Sequence, residues 1–281
     1  MRDGESPATL DGNLPGQSAM IEMLRLHDAA PARSPIARLF GMSPLTGESR
    51  AWYDAAVSEI EVGDALALLG DEWTVLHALP VGSGTSDIDH VAIGPGGVFI
   101  VNTKNHTGQS VWASGRAFLV SGIRHPYIRN MEYEMGRAER LIGSAARVQV
   151  EVSGILAIVA AKSLTVREKH RDVTVLATDD LVSWLLARPR TLEARDVDQI
   201  VRAAIRGTTW YQDDTAEDRS IRQAMEHRDG LHERFAVVRT EVRQAWRSQL
   251  VWATLMTIVG AGGFVLVTYS ILVNAVAALA R

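Results

Sequence analysis

The sequence predicts an α/β sandwich with a mixed central sheet, followed by a C-terminal transmembrane helix. Two β-rich runs within Asp87–Lys104 flank the turn residues Gly94–Gly97, a pattern typical of a β-hairpin. Strand and helix patterns then alternate, as expected for a sheet covered by helices. Finally, Leu250–Ala280 contains no charged residue over 31 positions, more than the roughly 20 that span a bilayer.

Composition narrows the possible sites. Cysteine is absent, which excludes disulfides and thiolate zinc sites. The formal net charge of −4 hides an asymmetry, because no Lys or Arg occurs between Ala51 and Thr103. Cationic residues then follow in succession: Lys104, Arg116, Arg124, Arg129, Arg137, Arg140 and Arg147. An acidic half beside a basic half is compatible with a metal ion and a polyanion, although solvated helix faces would give the same count.

The N-terminal segment, residues 1–48, is predicted to be mostly disordered, with a short helix around Ser18–Ala30. Its prolines lie among Gly, Ser and Ala, at Pro7, Pro15, Pro31, Pro35 and Pro44. The apolar stretch Met20–Leu26 is short and contains charged residues, so it does not fit a cleaved secretory signal. We therefore expect the N-terminus to stay in the cytoplasm.

The next element is an amphipathic helix over Ala51–Leu69. Apolar residues recur at helical spacing, and Glu59 falls on the same stripe as Val62 and Leu66. Burying this carboxylate unpaired would cost several kcal/mol or make it neutral, so it requires a cation or hydrogen-bond donors. The alternative is that Glu59 lies at the rim of the stripe and reaches water.

The hairpin gathers polar side chains. If Ile93 pairs with Val98 across the turn, Asp89 lies opposite Asn102, and Asp87 lies opposite Lys104. The two-residue period of a strand puts these four side chains on one face. The other face receives His90, Ala92, Val101 and Thr103. A one-residue slip of register would separate the polar set.

Two carboxylates, an amide and an ammonium on strands rich in Val and Ile require an explanation. One is an exposed polar face. The other is a divalent-metal site, because hard cations take carboxylate, carbonyl and water oxygens. In such a site a nearby ammonium can stabilise charge that develops on a phosphate.

Local patterns predict the remaining elements of a domain over 49–210. The predicted strands are Trp73–Leu79, Ser110–Trp112, Ala117–Val120, Val152–Ala161 and Val173–Ala177. The predicted helices are Pro126–Val148, Leu181–Ala187 and Leu192–Arg206. On the first of these helices, Glu132, Glu134 and Glu139 are expected to pair with its arginines on a solvated surface.

Residues 211–249 form a charged, amphipathic helical linker before the apolar segment 250–280. Arg239, Arg243 and Arg247 precede that segment and only Arg281 follows it, so the positive-inside rule predicts a single-pass protein of the cell membrane with a cytoplasmic domain. Gly260, Gly262 and Gly263 would allow another helix to approach, and hence self-association.

The hairpin motif has a specific resemblance. Asp-Ile-Asp-His at Asp87–His90, then Gly-Pro-Gly-Gly, then Val-Phe-Ile-Val-Asn-Thr-Lys-Asn-His at Val98–His106 resemble the nuclease-related domain NERD of the PD-(D/E)XK nuclease superfamily. The resemblance covers roughly Trp52–Trp210 and includes Ser58-Glu59, which matches a helix glutamate usually preceded by glycine. It implies a restriction-endonuclease-like fold.

The resemblance also implies site roles. Asp89 and the residue two before Lys104 would hold Mg²⁺ or Mn²⁺, with Glu59 completing the shell and Asp87 as a further candidate ligand. Lys104 would orient the attacking water or offset charge in the transition state. Candidate contacts with nucleic acid are Arg129 or Asn130, at the start of the helix after the lysine strand, and His106.

This sequence departs from the family pattern at Asn102, where a carboxylate is expected. An amide oxygen still coordinates a hard cation but brings no charge, so the affinity for metal should fall. Three hypotheses follow. The chain is a membrane-tethered, metal-dependent nuclease acting on DNA or RNA, a catalytically degenerate module that binds nucleic acid, or a membrane scaffold for a protein partner.

Overall fold

The computed structural model describes residues 9–80, 87–210 and 230–279, with side chains in the last range described up to Ile258. The chain divides into two compact units. The larger comprises residues 1–23 and 50–229, and the smaller comprises residues 24–49 and 230–281. The predicted loop 81–86 and the first part of the predicted linker, 211–229, lie outside the described residues.

A five-stranded mixed sheet forms the centre of the larger unit. The described strands are β1 (Thr74–Pro80), β2 (Asp87–Gly94), β3 (Gly97–Asn105), β4 (Ser110–Ser114), β5 (Ala117–Val120), β6 (Ile123–Arg124), β7 (Val152–Val159), β8 (Ser163–Val166) and β9 (Val173–Ala177). The central sheet has the order β1-β2-β3-β7-β9, in which β1, β2 and β3 pair antiparallel and β3, β7 and β9 pair parallel. A second sheet has the order β6-β5-β4-β8.

Helices cover both faces of the central sheet, which confirms the predicted α/β sandwich. They are α1 (Gln17–Ala29), α2 (Pro35–Leu39), α3 (Gly47–Leu66), α4 (Tyr127–Ala146), α5 (Thr178–Leu186), α6 (Ala194–Ala204), α7 (Gly207–Trp210) and α8 (Leu231–Leu279). On one face Val91 and Ile100 belong to a core with Met131 of α4 and residues of α6. On the other face Ala92 and Val101 belong to a core with residues of α3 and α5.

The hairpin register agrees with the prediction, because Ile93 pairs with Val98. The two-residue period then sends alternate residues of β2 and β3 into the two cores. Val91, Ile93, Val98 and Ile100 enter the core beneath α4, whereas Ala92, Phe99 and Val101 enter the core beneath α3. Asp89 and Asn102 continue the first of these rows beyond its apolar part.

Helix α1 (Gln17–Ala29) confirms the short helix predicted around Ser18–Ala30. The disorder predicted for the rest of the segment is wrong for its described part, which also contains helix α2. Met20 and Met23 are fully buried, so the short apolar stretch of α1 is part of a core. Pro15 also packs directly on Gly63 of α3, where any side chain would clash with the proline ring. Pro15 thus lies in an ordered segment just before helix α1. Composition alone does not distinguish such a proline from one in a disordered segment.

The smaller unit joins residues of the N-terminal segment to helix α8. Arg33 forms an ion pair with Glu241 at 2.6 Å, and the indole N–H of Trp252 donates to the carbonyl oxygen of Leu39 at 2.7 Å. The Phe40 and Trp252 rings lie 4.8 Å apart. The part of the predicted linker that the structure describes is therefore helical and makes tertiary contacts.

Among the residues that the structure describes, no helix combines the length and apolar composition needed to cross a membrane. Most of the predicted transmembrane segment, residues 259–280, including Gly260, Gly262 and Gly263, lies outside the residues whose side chains are described.

Candidate active site

The site lies where strands β2 and β3 stop pairing through their backbones. The ladder of paired residues between β2 and β3 ends at the His90–Val101 pair. At the next position, Oδ2 of Asp89 accepts the backbone N–H of Thr103 at 2.6 Å. A side-chain carboxylate thus accepts the amide hydrogen at this end of the hairpin, which holds Asp89 at the end of the sheet.

Three predicted carboxylates and Lys104 form one electrostatic cluster. Burial, followed by the charges of Asp89 and Asp87, raises the pKa of Glu59 well above its usual range, while Lys104 opposes the rise. Burial also raises the pKa of Asp89, again opposed by Lys104 and by the hydrogen bond from Thr103. The structure therefore brings Glu59 of α3 together with the polar end of the hairpin, as the sequence predicted.

Asp87 is the second hairpin carboxylate in this cluster. Burial and the charge of Asp89 raise its pKa to about 7, although a hydrogen bond from the Ser18 side chain works against the rise. Oδ2 of Asp87 and Oδ1 of Asn102 are buried, and neither has a hydrogen-bond partner among the residues that the structure describes. Buried oxygens without partners are costly, since they lose their hydration and gain no protein hydrogen bond. Two such atoms at one site indicate a binding site for a cation or for a hydrogen-bond donor.

Glu134 of α4 belongs to the same cluster, which the sequence analysis did not foresee. Its Oε2 accepts a hydrogen bond from Nδ2 of Asn102 at 3.3 Å. Burial, followed by the charge of Asp89, raises its pKa to about 7. The expected pairing with helix arginines is wrong for this residue. Glu134 follows the buried Met131 by three positions and precedes the buried Ala138 by four, so the test of helical spacing that singled out Glu59 would have found it.

The neighbouring glutamates of α4 have other partners. Glu132 forms an ion pair with Arg116 at 2.6 Å, an arginine outside the helix, and also bonds His170. Glu139 accepts the backbone N–H of Val152 at 3.0 Å. Neither contact involves an arginine of α4. The predicted ion pairs within this helix are therefore wrong for Glu132 and Glu139 as well.

Arg129 and Asn130, the predicted contacts with nucleic acid, are exposed in the first turn of α4. No described interaction joins their side chains to the carboxylate cluster. A role for them in binding nucleic acid stays a prediction.

His106, the third predicted contact, is buried beside Lys104 in an aromatic group. Its ring stacks on Tyr127 at 5.9 Å, and Tyr127 stacks on His125 at 4.9 Å. The Lys104 ammonium lies 5.1 Å from the centre of the Tyr127 ring, within the range of a cation–π interaction. Nδ1 of His106 contacts Oε1 of Gln109 at 3.3 Å, whereas its Nε2 is buried without a partner. Burial lowers the pKa of His106, so the ring is neutral near pH 7.

His90 lies on the opposite face of the hairpin, as predicted. Its Nδ1 is 2.8 Å from Nδ1 of His77 on β1, and its Nε2 is 3.4 Å from the Thr103 hydroxyl. Burial lowers the pKa of His90 well below its usual value and that of His77 to about 4. Both rings are neutral and bonded to each other, which indicates a structural role.

A region of the chain that includes this site is similar to a known protein family. Residues 55–159 match the family model of NERD, the nuclease-related domain. The predicted resemblance is confirmed over this range, which is narrower than the Trp52–Trp210 first expected. The matched range includes Asn102 and all members of the cluster, which are Glu59, Asp87, Asp89, Lys104 and Glu134. No curated protein and no solved structure matches the chain.

The donor atoms of the matched region suit a hydrated divalent ion better than a fully protein-bound one. Among the described residues, no three His, Cys, Asp or Glu side chains are arranged so that they could hold a metal ion together. Mg²⁺ does not require such a group, because it keeps several waters and binds through one or two carboxylates and substrate phosphates. Partnerless oxygens on Asp87 and Asn102 and raised carboxylate pKa values give a donor set that fits a hydrated hard cation.

Proposed function

We propose that the nuclease-related region hydrolyses phosphodiester bonds of DNA or RNA with the help of Mg²⁺ or Mn²⁺, in a restriction-endonuclease-like arrangement. The observation that carries this proposal is the concentration of buried carboxylates around Lys104. The charges of Asp89 and Asp87 raise the pKa of Glu59, and the charge of Asp89 raises that of Asp87, so these carboxylates are under electrostatic strain. A divalent cation relieves that strain, and phosphoryl transfer is chemistry that such a cation supports.

Asp89 and Asn102 are the side chains proposed to hold the ion. The Thr103 amide donates to Oδ2 of Asp89 and so fixes the position of this carboxylate. Oδ1 of Asn102 is buried and free of protein partners. Glu59 and Asp87 add negative charge nearby and suit contacts through water. When bound, the ion supplies Lewis-acid stabilisation of the phosphate and makes water a better nucleophile.

Lys104 provides the positive charge that the transition state requires. Its ammonium lies 5.1 Å from the centre of the Tyr127 ring, and its charge acts on the Asp89 carboxylate. A fixed cation that faces the developing charge on phosphate lowers the barrier without reorganising during the reaction. Lys104 also suits orientation of the attacking water, since an ammonium donates up to three hydrogen bonds.

The proposal includes binding of nucleic acid and attachment to a membrane. Arg129 and Asn130 are exposed on the turn of α4 after Tyr127, where they suit contacts with the phosphate backbone. The uncharged residues 250–280, preceded by three arginines, support a single-pass anchor in the cell membrane with the site on the cytoplasmic side.

The test uses the full chain, purified in a mild detergent, with end-labelled DNA and RNA. Cleavage is expected with Mg²⁺ or Mn²⁺ and not with EDTA. Lys104→Ala should lower the rate at least about a hundredfold, the range for removing one transition-state donor. Lys162→Ala, which alters an exposed lysine, is the matched control. Salt-sensitive binding of nucleic acid without any cleavage would contradict the proposal and leave a binding module.

A further inference from the structure

We propose that Glu134 supplies the carboxylate that strand β3 lacks, and that Asn102 positions it, so that the two residues together replace a glutamate at position 102. This inference rests on the proposed metal-dependent function. It assigns a further ligand of the same site, from a helix and not from the hairpin.

The first observation is the direct contact between the two side chains. Asn102 is 8 % exposed, and its amide nitrogen donates to Oε2 of Glu134 at 3.3 Å. The amide therefore directs Glu134 toward the end of the hairpin. The charges of Asp89 and Lys104 both act on Glu134, which places its carboxylate in the same cluster as theirs.

The second observation is chemical complementarity between positions 102 and 134. A glutamate at position 102 would place another carboxylate beside Glu134, in a buried setting where like charges repel strongly. Asparagine at the same position donates a hydrogen bond to that carboxylate. The departure of this sequence at Asn102 and the presence of Glu134 in the site therefore explain each other.

The third observation is the contrast within helix α4. Glu132 is paired with Arg116, and Glu139 accepts a backbone amide at the start of β7. Among the described ion pairs none includes Glu134, and its neighbours include the carboxylates of Asp87 and Asp89. A carboxylate serving only the fold would gain more from a neutral or cationic setting. Its position beside like charges is explained by a cation that Glu134 shares with Asp89.

The experiment measures binding of Mn²⁺ alone, without nucleic acid, to the full chain by titration calorimetry and by electron paramagnetic resonance. Glu134→Gln keeps the size of the side chain and its ability to accept from Asn102. It should weaken Mn²⁺ binding at least tenfold. Glu132→Gln, on the same helix, is the matched control and should leave the affinity within twofold.

The exchange variant Asn102→Glu with Glu134→Gln separates a ligand from a structural partner. It moves the carboxylate to the strand and leaves the total charge unchanged, so Mn²⁺ affinity should return to within threefold of the wild-type value. Asn102→Glu alone should lower the melting temperature of the metal-free protein, because it adds a buried like charge.

Three outcomes decide the question. Weak binding by Glu134→Gln, restored in the exchange variant, supports the inference. Wild-type affinity in Glu134→Gln, while Asp89→Asn loses binding, overturns it and leaves the proposed function intact. Absence of Mn²⁺ binding by the wild-type chain overturns both.

Discussion

The two faces of the β2–β3 hairpin differ in how their buried polar groups are satisfied. On the face toward α3, His90 bonds to His77 and Thr103, and both rings are neutral. On the face toward α4, Asp87 and Asn102 each hold a buried oxygen without a partner. The same two strands thus carry hydrogen-bonded polar groups on the face toward α3. On the face toward α4 they carry polar groups with oxygens left unpaired among the described residues.

This difference in hydrogen bonding assigns a structural role to the polar groups of one face and a functional role to those of the other. Buried polar groups that bond to each other stabilise one conformation and have no capacity left for a ligand. Carboxylates that lie near one another with raised pKa values destabilise the fold and gain from a cation. Substitutions on the first face should therefore change stability, and substitutions on the second face should change activity.

The largest effect is expected for Asp89→Asn on the site face. Loss of this carboxylate should lower cleavage about a thousandfold, in line with the several kcal/mol that a metal ion contributes to transition-state stabilisation. Single-turnover cleavage at saturating Mg²⁺ measures it. Retention of more than a tenth of the wild-type rate would show that Asp89 does not hold the ion.

On the opposite face, His90→Leu should destabilise the fold and leave the chemistry alone. It removes the partner of His77 Nδ1 and one contact of the Thr103 hydroxyl, at a cost of about 1–3 kcal/mol for a polar group left unsatisfied. Urea unfolding measures the loss. Cleavage per folded molecule should stay within threefold, and a hundredfold loss would assign His90 to the active site instead.

The histidine pair should also make stability depend on pH in a defined direction. The folded-state pKa of His77 is about 4, below the unfolded value near 6.5. Its contribution is therefore complete above pH 6.5 and is lost as the pH falls toward 4, because the unfolded chain takes up the proton first. Between pH 7 and pH 5 the loss should be about 1–2 kcal/mol, at 1.4 kcal/mol per pKa unit and reduced for partial exposure.

The site carboxylates with raised pKa values act in the opposite direction, since their contribution is lost as the pH rises. The comparison of wild type with His77→Gln removes this background, because both proteins carry the same carboxylates. Equal slopes of stability against pH in the two proteins would contradict the assignment to His77.

For Asp87→Asn we expect a smaller change in stability, and a gain where His90→Leu gives a loss. It replaces a buried charge whose pKa is raised to about 7, so the metal-free protein should gain about 1 kcal/mol at pH 8. The gain should shrink toward pH 5, where Asp87 is protonated in the folded state. Thermal melts in EDTA measure it. A loss of stability at pH 8 would mean that Asp87 has a stabilising partner.

The smallest effect is expected for Arg129→Ala and Asn130→Ala, because both side chains are exposed. Their stability changes should stay within about 0.5 kcal/mol. If Arg129 contacts a phosphate, its loss should weaken binding for all sequences alike and reduce the salt dependence of binding. Unchanged salt dependence would remove Arg129 from the interface.

Local patterns predicted much of this molecule correctly. The turn at Gly94–Gly97 fixed the register of the hairpin from His90–Val101 to Gly94–Gly97. The two-residue period, continued beyond this ladder, assigns Asp87, Asp89, Asn102 and Lys104 to one face. Helical spacing placed Glu59 on the buried stripe of α3 with Val62 and Leu66. These features follow from side-chain periods of two and about 3.6 residues, which act over a few neighbours in the chain.

Other features depend on contacts between distant parts of the chain. Strand β8 pairs in parallel with β4 some fifty residues earlier, and its exposed side chains carry no strand pattern of their own. The N-terminal segment is ordered because Pro15 packs on Gly63 of α3 and the side chain of Asn13 donates to the carbonyl oxygen of Ala78, both later in the sequence. Such pairings were not predicted, since composition reports how flexible a segment is and not what it packs against.

The sequence by itself determined the sandwich, the hairpin register and the position of Glu59, because each results from a short-range repeat of apolar and polar residues. Only the tertiary structure decided that Glu134 faces Asn102, that His77 bonds to His90, and which buried oxygens have no partner. Those facts depend on how helices and strands far apart in the chain pack together. They depend also on which ionisable groups this packing buries beside one another.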